Sequence, residues 1–206
     1  PLTYTRPKVM LPLANKPILE HLLLEIKKAG IEDFIFVVGY HGEKVRDYFG
    51  RGEQWGVNIN YVTQRKQLGT AHALKMVESF VNGRFLLLNG DVIVRGEDIR
   101  RMASKERISL SLIKVEDPKG LGVAEIEGDK VKYLYEKVET PPSHLANAGL
   151  YLLTEDIFPA ISRTKKSPRG EYEITDSLQL LISQGYSLSY QEIEYWLDIS
   201  YPWDLL

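Results

Sequence analysis

The alternation of apolar and polar residues along the first half of the chain predicts helices and strands in turn. Ile18, Leu22 and Ile26 recur at helical spacing on one face, and Gly30 ends that pattern. The unbroken apolar run at 34–38 then predicts a buried strand. The alternation continues with a helix at 43–49, a strand at 57–63, a helix from about 70, a strand at 85–88 and a helix at 97–103. Strands separated by helices and short turns are typical of a parallel sheet flanked by helices.

The second half of the chain has a different pattern, in which strands follow one another more closely. Strands are predicted at 108–115, 123–126, 131–134 and 150–153, and helices at 156–161 and 174–183. Gly128-Asp129 stands between two of these strands, as in a hairpin turn. We therefore expect an α/β, Rossmann-like fold with a predominantly parallel mixed sheet flanked by helices and a hairpin-rich second half. No internal repeat or long linker divides the sequence, so we expect one compact domain over 1–206.

Composition narrows the possible functions. Hydrophobic residues make up 44% and charged residues 26%, as in an ordinary globular domain. The 26 Lys and Arg against 28 Asp and Glu give a formal charge of −2, and no basic run is long enough to follow a phosphate backbone, so nucleic acid is not an expected partner. The lack of cysteine excludes disulfides, thiolate nucleophiles and cysteine metal sites. The apolar runs are too short for a membrane span and no signal-peptide pattern is present, so we expect a cytoplasmic protein.

Asn89-Gly90-Asp91 directly follows the apolar run at 85–88, at the carboxyl end of a predicted strand. Ligands of open α/β sheets bind at such ends. An Asn-Gly pair is more often a simple hairpin turn, and the apolar residues at 92–94 could supply the second strand of a hairpin. A Mg²⁺ site that handles phosphates needs only one or two carboxylates, so Asp91 is the first candidate metal ligand.

The stretch at 64–72 joins a predicted strand to a predicted helix. Thr70 is a suitable N-cap, so this could be an ordinary capped helix. Alternatively, Gly69 lets a flat ligand approach the backbone closely, and the Gln64 amide can both donate to and accept from a nucleobase edge. The residues alone leave both interpretations open.

Cationic side chains gather at two further places. Arg6, Lys8 and Lys16 belong to a loop stiffened by prolines, and they are either solvated charges or a polyphosphate site. Glu136-Lys137 ends a predicted strand and offers one acceptor and one cation together. The same pair could equally be a surface ion pair of little energetic value.

Several segments, taken in order along the chain, resemble the sugar-1-phosphate nucleotidylyltransferases. The segments are Arg6-Pro7-Lys8, Lys16-Pro17, Gln64, Gly69-Thr70, Asn89-Gly90-Asp91, Gly122-Val123, Glu136-Lys137, Asn147-Ala148-Gly149-Leu150-Tyr151, the stretch from Arg169 to Asp176, and Trp196-Leu197-Asp198. The resemblance covers essentially the whole chain and includes glucose-1-phosphate thymidylyltransferase and the N-terminal domain of bifunctional N-acetylglucosamine-1-phosphate uridylyltransferases.

The resemblance implies a role for most of these residues. It assigns catalytic roles to Lys8, Asp91, Lys137 and Asp198, with Asp91 and Asp198 also binding Mg²⁺. It assigns nucleotide binding to Gln64, Gly69 and Thr70, and sugar binding to Gly122, Glu136 and Asn147. The stretch from Arg169 to Asp176 is expected near the sugar, without individual roles.

The reaction that the resemblance implies is transfer of a nucleotidyl group from a nucleoside triphosphate, with UTP or dTTP favoured, to a sugar 1-phosphate. Neither reactant needs a protein nucleophile, so catalysis would depend on alignment and on charge neutralisation by Mg²⁺ and the lysines. A nucleotide-sugar glycosyltransferase usually has two aspartates one residue apart, whereas Asp91 is followed by Val92-Ile93. A non-catalytic nucleotide-sugar-binding regulatory subunit would be expected to have lost some of the four residues with catalytic roles, and all four are present.

The two ends of the sequence carry expectations of their own. By the same resemblance, a first strand and a Gly-rich phosphate-binding loop ending in arginine would precede Pro1. Ser200 stands where the family usually has glycine, and the stretch at 201–206 resembles a linker that leads to a left-handed β-helix acyltransferase domain. We also expect a homo-oligomer.

Overall fold

A computed structural model describes residues 3–199 of the chain. Expectations for Pro1, Leu2 and the stretch at 200–206 lie outside the described residues. Contacts divide the described chain into two compact units, one formed by 3–67, 89–101 and 195–199 and the other by 68–88 and 102–194. The assignment of 1–206 to a single nucleotidylyltransferase domain stays a prediction.

The described elements alternate along the chain much as the sequence pattern predicts. The strands are β1 (Pro12–Leu13), β2 (Lys16–Pro17), β3 (Asp33–Val38), β4 (Asn58–Thr63), β5 (Arg84–Leu88), β6 (Val92–Val94), β7 (Ser109–Lys114), β8 (Val123–Glu127), β9 (Lys130–Tyr135), β10 (Leu145–Thr154), β11 (Ser189–Glu192) and β12 (Trp196–Asp198). The helices are α1 (Ile18–Lys28), α2 (Gly42–Phe49), α3 (Thr70–Lys75), α4 (Gly96–Ala103), α5 (Ile157–Arg163) and α6 (Ile174–Ser183). Short 3-10 turns lie at Lys8–Met10, Glu53–Trp55 and Glu78–Phe80.

The first unit is organised around α1 and the parallel pair β3 and β4. The predicted apolar face of α1 is buried, with Ile18, Leu22 and Ile26 all less than a tenth exposed. Gly30 adopts a φ of 89°, the left-handed conformation that favours glycine after a helix, so the predicted helix end is confirmed. On α2, Phe49 is buried and meets Phe36 of β3 edge to face, with ring centroids 5.5 Å apart.

A buried carboxylate stabilises this unit. Glu20 on α1 is 6% exposed and accepts a hydrogen bond of 2.6 Å from the Tyr48 hydroxyl, while Lys16 Nζ lies 3.3 Å from its other oxygen. Burial by itself would raise the pKa of Glu20, but hydrogen bonds from Tyr48, Trp55 and Lys16 outweigh it and lower the pKa below 4.5. The hydrogen bond to Glu20, together with burial, raises the pKa of Tyr48 to about 12. Lys16, one of the cations considered for a polyphosphate site, is therefore engaged in the fold.

Tyr48→Phe is expected to lower the free energy of unfolding by about 2 kcal/mol, because the buried Glu20 carboxylate loses a hydrogen bond to a charged acceptor. The lowered pKa of Glu20 means that its contribution is present above pH 4.5 and is lost as the pH falls through the folded-state pKa. Denaturant unfolding between neutral and acid pH measures both effects. Tyr186→Phe is the matched control, since that hydroxyl lies 3.4 Å from Asp156 at the surface and should contribute little. Equal losses in the two variants would contradict the prediction.

The second unit is organised around a six-stranded sheet in the order β5, β10, β7, β11, β9, β8, with a further pairing between β10 and β8. β10 is buried along most of its length, and its neighbours β5 and β7 run antiparallel to it. The predicted hairpin is confirmed, since β8 and β9 pair antiparallel and Gly128 between them has a φ of 61°. Helices α5 and α6 pack on each other, and α6 contacts β9.

The fold class predicted from the sequence is confirmed, because mixed sheets are flanked by helices. Parallel pairing is less frequent than the sequence pattern predicts: among the pairings between described strands, β3 with β4 and β7 with β11 are parallel and the others are antiparallel. The reason is that β10 turns back along both β5 and β7, so that the sheet of the second unit is mainly antiparallel. Within residues 3–199, no helix is long and apolar enough to cross a membrane.

Candidate active site

Lys8 and Asp91 form an ion pair in the first unit. Lys8 lies in the 3-10 turn, which backbone bonds from Met10 N to Pro7 O and from Leu11 N to Lys8 O close at 2.9 and 3.0 Å. Its Nζ is 2.8 Å from Asp91 Oδ2, and the two side chains are 32% and 36% exposed. The pair is thus accessible to solvent and to a ligand. Two residues that the sequence predicts to act together are in direct contact.

The pairing of β6 with β12 brings Asp198 to the same region. β12 runs antiparallel to β6 with Asp198 in register with Val92, and Ile199 N donates to Asp91 O at 3.3 Å. Below these strands, Ile93 and Ile199 belong to a buried apolar cluster that also includes Leu11 and Ile18. The main chain that carries Asp91 is therefore bonded to the main chain next to Asp198. The hairpin alternative for Asn89-Gly90 does not hold, because β6 forms a two-stranded sheet with β12.

The donors at this place fit a magnesium ion. Asp91 and Asp198 offer carboxylate oxygens, which Mg²⁺ prefers, and Mg²⁺ in phosphate-handling sites commonly uses one or two carboxylates with water and substrate oxygens as its remaining ligands. No group of three or more acidic or histidine ligands occurs among residues 3–199. Two carboxylates leave the remaining ligand positions of such an ion to water and substrate oxygens.

Gln64 continues the parallel β3–β4 ladder, since its backbone N donates to Val38 O at 2.7 Å. Beside it, Gly39 follows β3 and has no side chain. A Cβ at Gly39 would lie 2.8 Å from Gln67 Nε2 and 3.4 Å from Gln64 O, so the glycine gives Gln67 room to lie over the strand end. Gln64 is thus at the carboxyl end of two parallel strands, where the sequence analysis predicts base recognition.

Gly69 and Thr70 lie in the second unit and are bonded to the segment around Tyr172. Gly69 has a φ of 102°, and a Cβ there would lie only 2.5 Å from Tyr172 O. Tyr172 N donates to Leu68 O at 2.7 Å, and Ala71 N donates to Tyr172 O at 2.9 Å. The helix begins near Thr70 as predicted, but Gly69 takes the N-cap position of α3 and Thr70 is the first helical residue, so the alternative in which Thr70 caps this helix does not hold.

The Thr70 hydroxyl has a different structural role. It accepts a hydrogen bond of 3.0 Å from the backbone N of Ile174, which is the first residue of α6. The N-cap residue of α6, Glu173, makes no capping hydrogen bond through its own side chain. Thr70 therefore satisfies a free amide at the start of another helix. The loop predicted to bind the nucleotide is in this way bonded to the segment predicted to lie near the sugar.

Glu136 is held in a partly buried position in the second unit. Thr175 Oγ1 donates to Glu136 Oε2 at 2.6 Å, and a Cβ at Gly122 would lie 3.1 Å from the same oxygen. Burial raises the pKa of Glu136, and the negative charge of Glu173 raises it further. The hydrogen bond from Thr175 and the positive charges of Lys137 and Arg169 lower the pKa but do not outweigh burial. Gly122 and Glu136, both predicted to bind sugar, are thus neighbours.

Asn147 joins this group through its backbone. Asn147 N donates to Gly122 O at 2.8 Å, while its side chain donates to the Tyr151 hydroxyl at 2.7 Å and accepts from Gly149 N at 3.1 Å. The bond between Asn147 and Tyr151 joins two residues of the same strand that are four positions apart. It is possible because the register of β10 shifts between these two residues, where Gly149 has a φ of 76°. The amide is held in a fixed orientation and keeps one further donor and one further acceptor site.

Two cations act on this carboxylate group, Lys137 next to Glu136 in the sequence and Arg169 close to it in space. Lys137 is exposed and has a φ of 47°, a left-handed conformation that costs a non-glycine residue about 1–2 kcal/mol. Arg169 lies 3.5–3.8 Å from carboxylate oxygens of Glu136, Glu171 and Glu173. The surface ion-pair alternative for Glu136-Lys137 is not supported, since Glu136 is bonded to Thr175 and faces Arg169.

Two partners of predicted site residues, Thr175 and Tyr151, were not predicted from the sequence. Both are buried, and each orients a polar side chain that the motifs identified. Thr175 belongs to the stretch for which no individual roles were predicted. Tyr151 belongs to the motif at 147–151, in which only Asn147 was given a role, and the register shift that brings Tyr151 to Asn147 has no local signal beyond Gly149.

A cavity of about 790 Å³ in the first unit is lined by residues of α1, β6 and β12, among them Leu24, Ile93 and Leu197. Arg95 lies over the Tyr195 ring at its rim, 4.8 Å from the ring centroid. None of the predicted site residues lines it. The candidate site is therefore identified by its polar contacts.

Comparison with known proteins decides the family. A family model described as Nucleotidyl transferase matches residues 1–206. The chain belongs to the nucleotidyl transferase family. The bifunctional protein GlmU of Methanococcus maripaludis is 41% identical over 209 residues, which are 100% of this chain and 49% of that protein. The chain thus spans about half the length of this relative.

Two further members of the nucleotidyl transferase family are similar over most of their length. UTP–glucose-1-phosphate uridylyltransferase AglF of Haloferax volcanii is 36% identical over 213 residues, 99% of this chain and 87% of that protein. A structure named provisionally as a glucose-1-phosphate thymidylyltransferase of Bacillus anthracis, in complex with sucrose, superposes with a TM-score of 0.88 at 34% identity, over 100% of this chain and 86% of that one. The resemblance found in the sequence is confirmed by these matches.

Proposed function

We propose that this protein transfers a nucleotidyl group from a nucleoside triphosphate to a sugar 1-phosphate. The sugar phosphate oxygen attacks the α-phosphorus, the bond from the α-phosphorus to the bridging oxygen of the β-phosphate breaks, and pyrophosphate leaves. The observation that carries the proposal is the convergence of Lys8, Asp91 and the β12 end with Asp198 in the first unit. Membership of the nucleotidyl transferase family supports it.

The first unit would handle the nucleotide phosphates. Lys8 is held by the 3-10 turn and by Asp91, so its ammonium is already oriented when a polyphosphate arrives. An oriented cation neutralises the developing charge without paying for reorganisation during the reaction. Asp91 and Asp198 would hold Mg²⁺, which when bound reduces repulsion between the two anionic reactants.

The second unit would handle the sugar phosphate. Glu136 and the oriented amide of Asn147 offer acceptors and a donor for sugar hydroxyls, and Gly122 leaves space beside the carboxylate. Lys137 follows Glu136 directly and would neutralise the sugar phosphate. Gly69 and Thr70, bonded to the segment that includes Thr175, are the proposed nucleotide-binding residues of this unit.

UTP or dTTP is the proposed nucleotide. Relatives named as a UTP–glucose-1-phosphate uridylyltransferase and, provisionally, as a glucose-1-phosphate thymidylyltransferase support this choice. The bases of UTP and dTTP present the same pattern of donor and acceptor groups to an amide such as that of Gln64. A homo-oligomer and a cytoplasmic location remain predictions.

Pyrophosphate release tests this function in the full-length protein. The assay combines Mg²⁺ with each of UTP, dTTP, GTP, ATP and CTP against glucose-, N-acetylglucosamine- and mannose-1-phosphate. Release that requires both substrates and is fastest with UTP or dTTP is the expected result. No release with any pair, combined with tight binding of a nucleotide sugar, would favour a regulatory subunit.

Glu136→Gln is expected to raise the KM for the sugar 1-phosphate by about 10-fold to 100-fold, because a sugar hydroxyl loses a charged acceptor. The KM for the nucleotide should change little. Burial raises the pKa of Glu136, so this carboxylate becomes protonated at a higher pH than an ordinary glutamate does. As the pH is lowered, the wild-type KM for the sugar 1-phosphate should therefore begin to rise at that higher pH. This pH dependence should disappear in the variant. Glu125→Gln is the control, because Glu125 accepts from Tyr135 at 3.0 Å in the same unit. A selective rise in the nucleotide KM would contradict the assignment.

A further inference from the structure

The main-chain carbonyl of Tyr4 accepts hydrogen bonds from two neighbouring side chains of another segment. The Tyr40 hydroxyl donates to it at 3.1 Å, and His41 Nε2 lies 3.0 Å from it. The two rings pack together with centroids 4.1 Å apart. Both residues follow β3, while Tyr4 stands four positions before Lys8. All of these residues belong to the first unit.

His41 adopts a conformation that needs an explanation. Its φ is 50° and its ψ is 35°, the left-handed region that is unfavourable for a non-glycine residue. Such strain persists only where the surroundings over-determine it. Here the ring has two partners, since Nδ1 lies 2.9 Å from Glu43 Oε1 and Nε2 faces the Tyr4 carbonyl.

The two partners of His41 are both acceptors. The ring approaches the Tyr4 carbonyl through Nε2 and the Glu43 carboxylate through Nδ1. The same contact lowers the pKa of the Glu43 carboxyl, chiefly through the hydrogen bond from His41.

We infer that Tyr40 and His41 form a clamp on the Tyr4 carbonyl that positions the segment carrying Lys8. The segment is then fixed at both ends, at Tyr4 by the clamp and at Lys8 by the 3-10 turn and Asp91. Between these points lies Arg6, an exposed second cation on the same short stretch as the partly buried Lys8. The clamp residues act through the segment, as positioning residues. The inference of a role in nucleotide binding rests on the proposed function of Lys8.

Hydrogen exchange of backbone amides, read by mass spectrometry on the full-length protein, tests the clamp without relying on activity. In His41→Ala, and to a smaller extent in Tyr40→Phe, exchange in peptides covering 4–8 should accelerate about tenfold. Peptides from β3 and β4 should keep their wild-type exchange, which shows that the unit remains folded. Unchanged exchange at 4–8 in His41→Ala would overturn the clamp.

Two substitutions separate the clamp from backbone strain. Asn tolerates the left-handed conformation but is too short to reach Tyr4, so His41→Asn should behave like His41→Ala. Gln can extend a donor toward the carbonyl, so His41→Gln should recover part of the protection. His21→Gln is the control for a comparable histidine bond, since His21 Nε2 lies 2.7 Å from Leu13 O beyond Lys8. Equal effects at 4–8 from His21→Gln would contradict the proposal.

Steady-state kinetics then tests the positioning role. His41→Ala should raise the KM for the nucleoside triphosphate about tenfold, with the KM for the sugar 1-phosphate unchanged, and His41→Gln should lie between it and the wild type. Faster exchange at 4–8 without a change in the nucleotide KM would overturn the positioning role. A wild-type protein that is inactive with every substrate pair would refute the proposed function, while the exchange result would still decide whether the clamp exists.

Discussion

Asp91→Asn is expected to reduce the rate of nucleotidyl transfer by about a thousandfold, the upper end of what loss of one preorganised electrostatic group costs. The substitution removes the charge that would bind Mg²⁺ and also releases Lys8, whose Nζ lies 2.8 Å from Asp91 Oδ2. Because both side chains are about a third exposed, loss of their ion pair should change the free energy of unfolding by less than about 1 kcal/mol. Single-turnover kinetics and denaturant unfolding of the same samples measure the two effects.

Asp47→Asn is the matched control for this experiment. Asp47 is exposed on α2 of the same unit, so the same charge is removed away from the candidate site. The control should keep near-wild-type turnover. Near-normal turnover in Asp91→Asn, or an equal loss in both variants, would contradict the assignment of Asp91.

Gly69→Ala is expected to lower the free energy of unfolding by about 3 kcal/mol and to abolish most activity. The φ of 102° is unfavourable for alanine, and its Cβ would lie 2.5 Å from Tyr172 O and 2.7 Å from Tyr172 N. Both close atoms are backbone, so they cannot move away without breaking the bonds that join 68–71 to Tyr172. That displacement would also disturb Thr70 and the start of α6. Thermal or denaturant unfolding measures the loss.

Gly185→Ala separates the steric effect from the conformational one. Gly185 follows α6 in the same unit with a φ of 91°, and a Cβ there would meet nothing within 4 Å. Only the cost of the left-handed conformation remains, so the expected loss is about 1 kcal/mol. If both variants lost the same stability, the close approach of Tyr172 to Gly69 would have no energetic importance.

Local patterns predicted most helices and strands, because one buried face sets the spacing of apolar residues. The α1 face and the β8–β9 hairpin turn both follow from such patterns. The patterns failed where pairing is non-local. β10 is longer than its predicted core at 150–153, and its antiparallel neighbours β5 and β7 are distant in sequence. β12 was not predicted as a strand because its three residues give too little periodicity.

The candidate site was predictable where the side chain is charged, because a lysine or an aspartate can take few chemical roles. Lys8 and Asp91 are an example, and the structure brings them into contact. The groups that orient these residues were not predictable in the same way. Thr70 is an ordinary N-cap candidate by sequence, yet its hydroxyl accepts from Ile174, more than a hundred positions away. The clamp on Tyr4 depends on a left-handed histidine, a backbone conformation that sequence spacing does not reveal.

The most direct test of the proposed transfer follows the α-phosphate itself. Full-length protein is incubated with Mg²⁺, a sugar 1-phosphate and UTP or dTTP labelled at the α-phosphate, and the products are separated. The label is expected to appear in a nucleotide sugar in equal amount to the pyrophosphate released, and only when both substrates are present. Label recovered as free nucleoside monophosphate, or left entirely in the triphosphate, would contradict the proposed transfer.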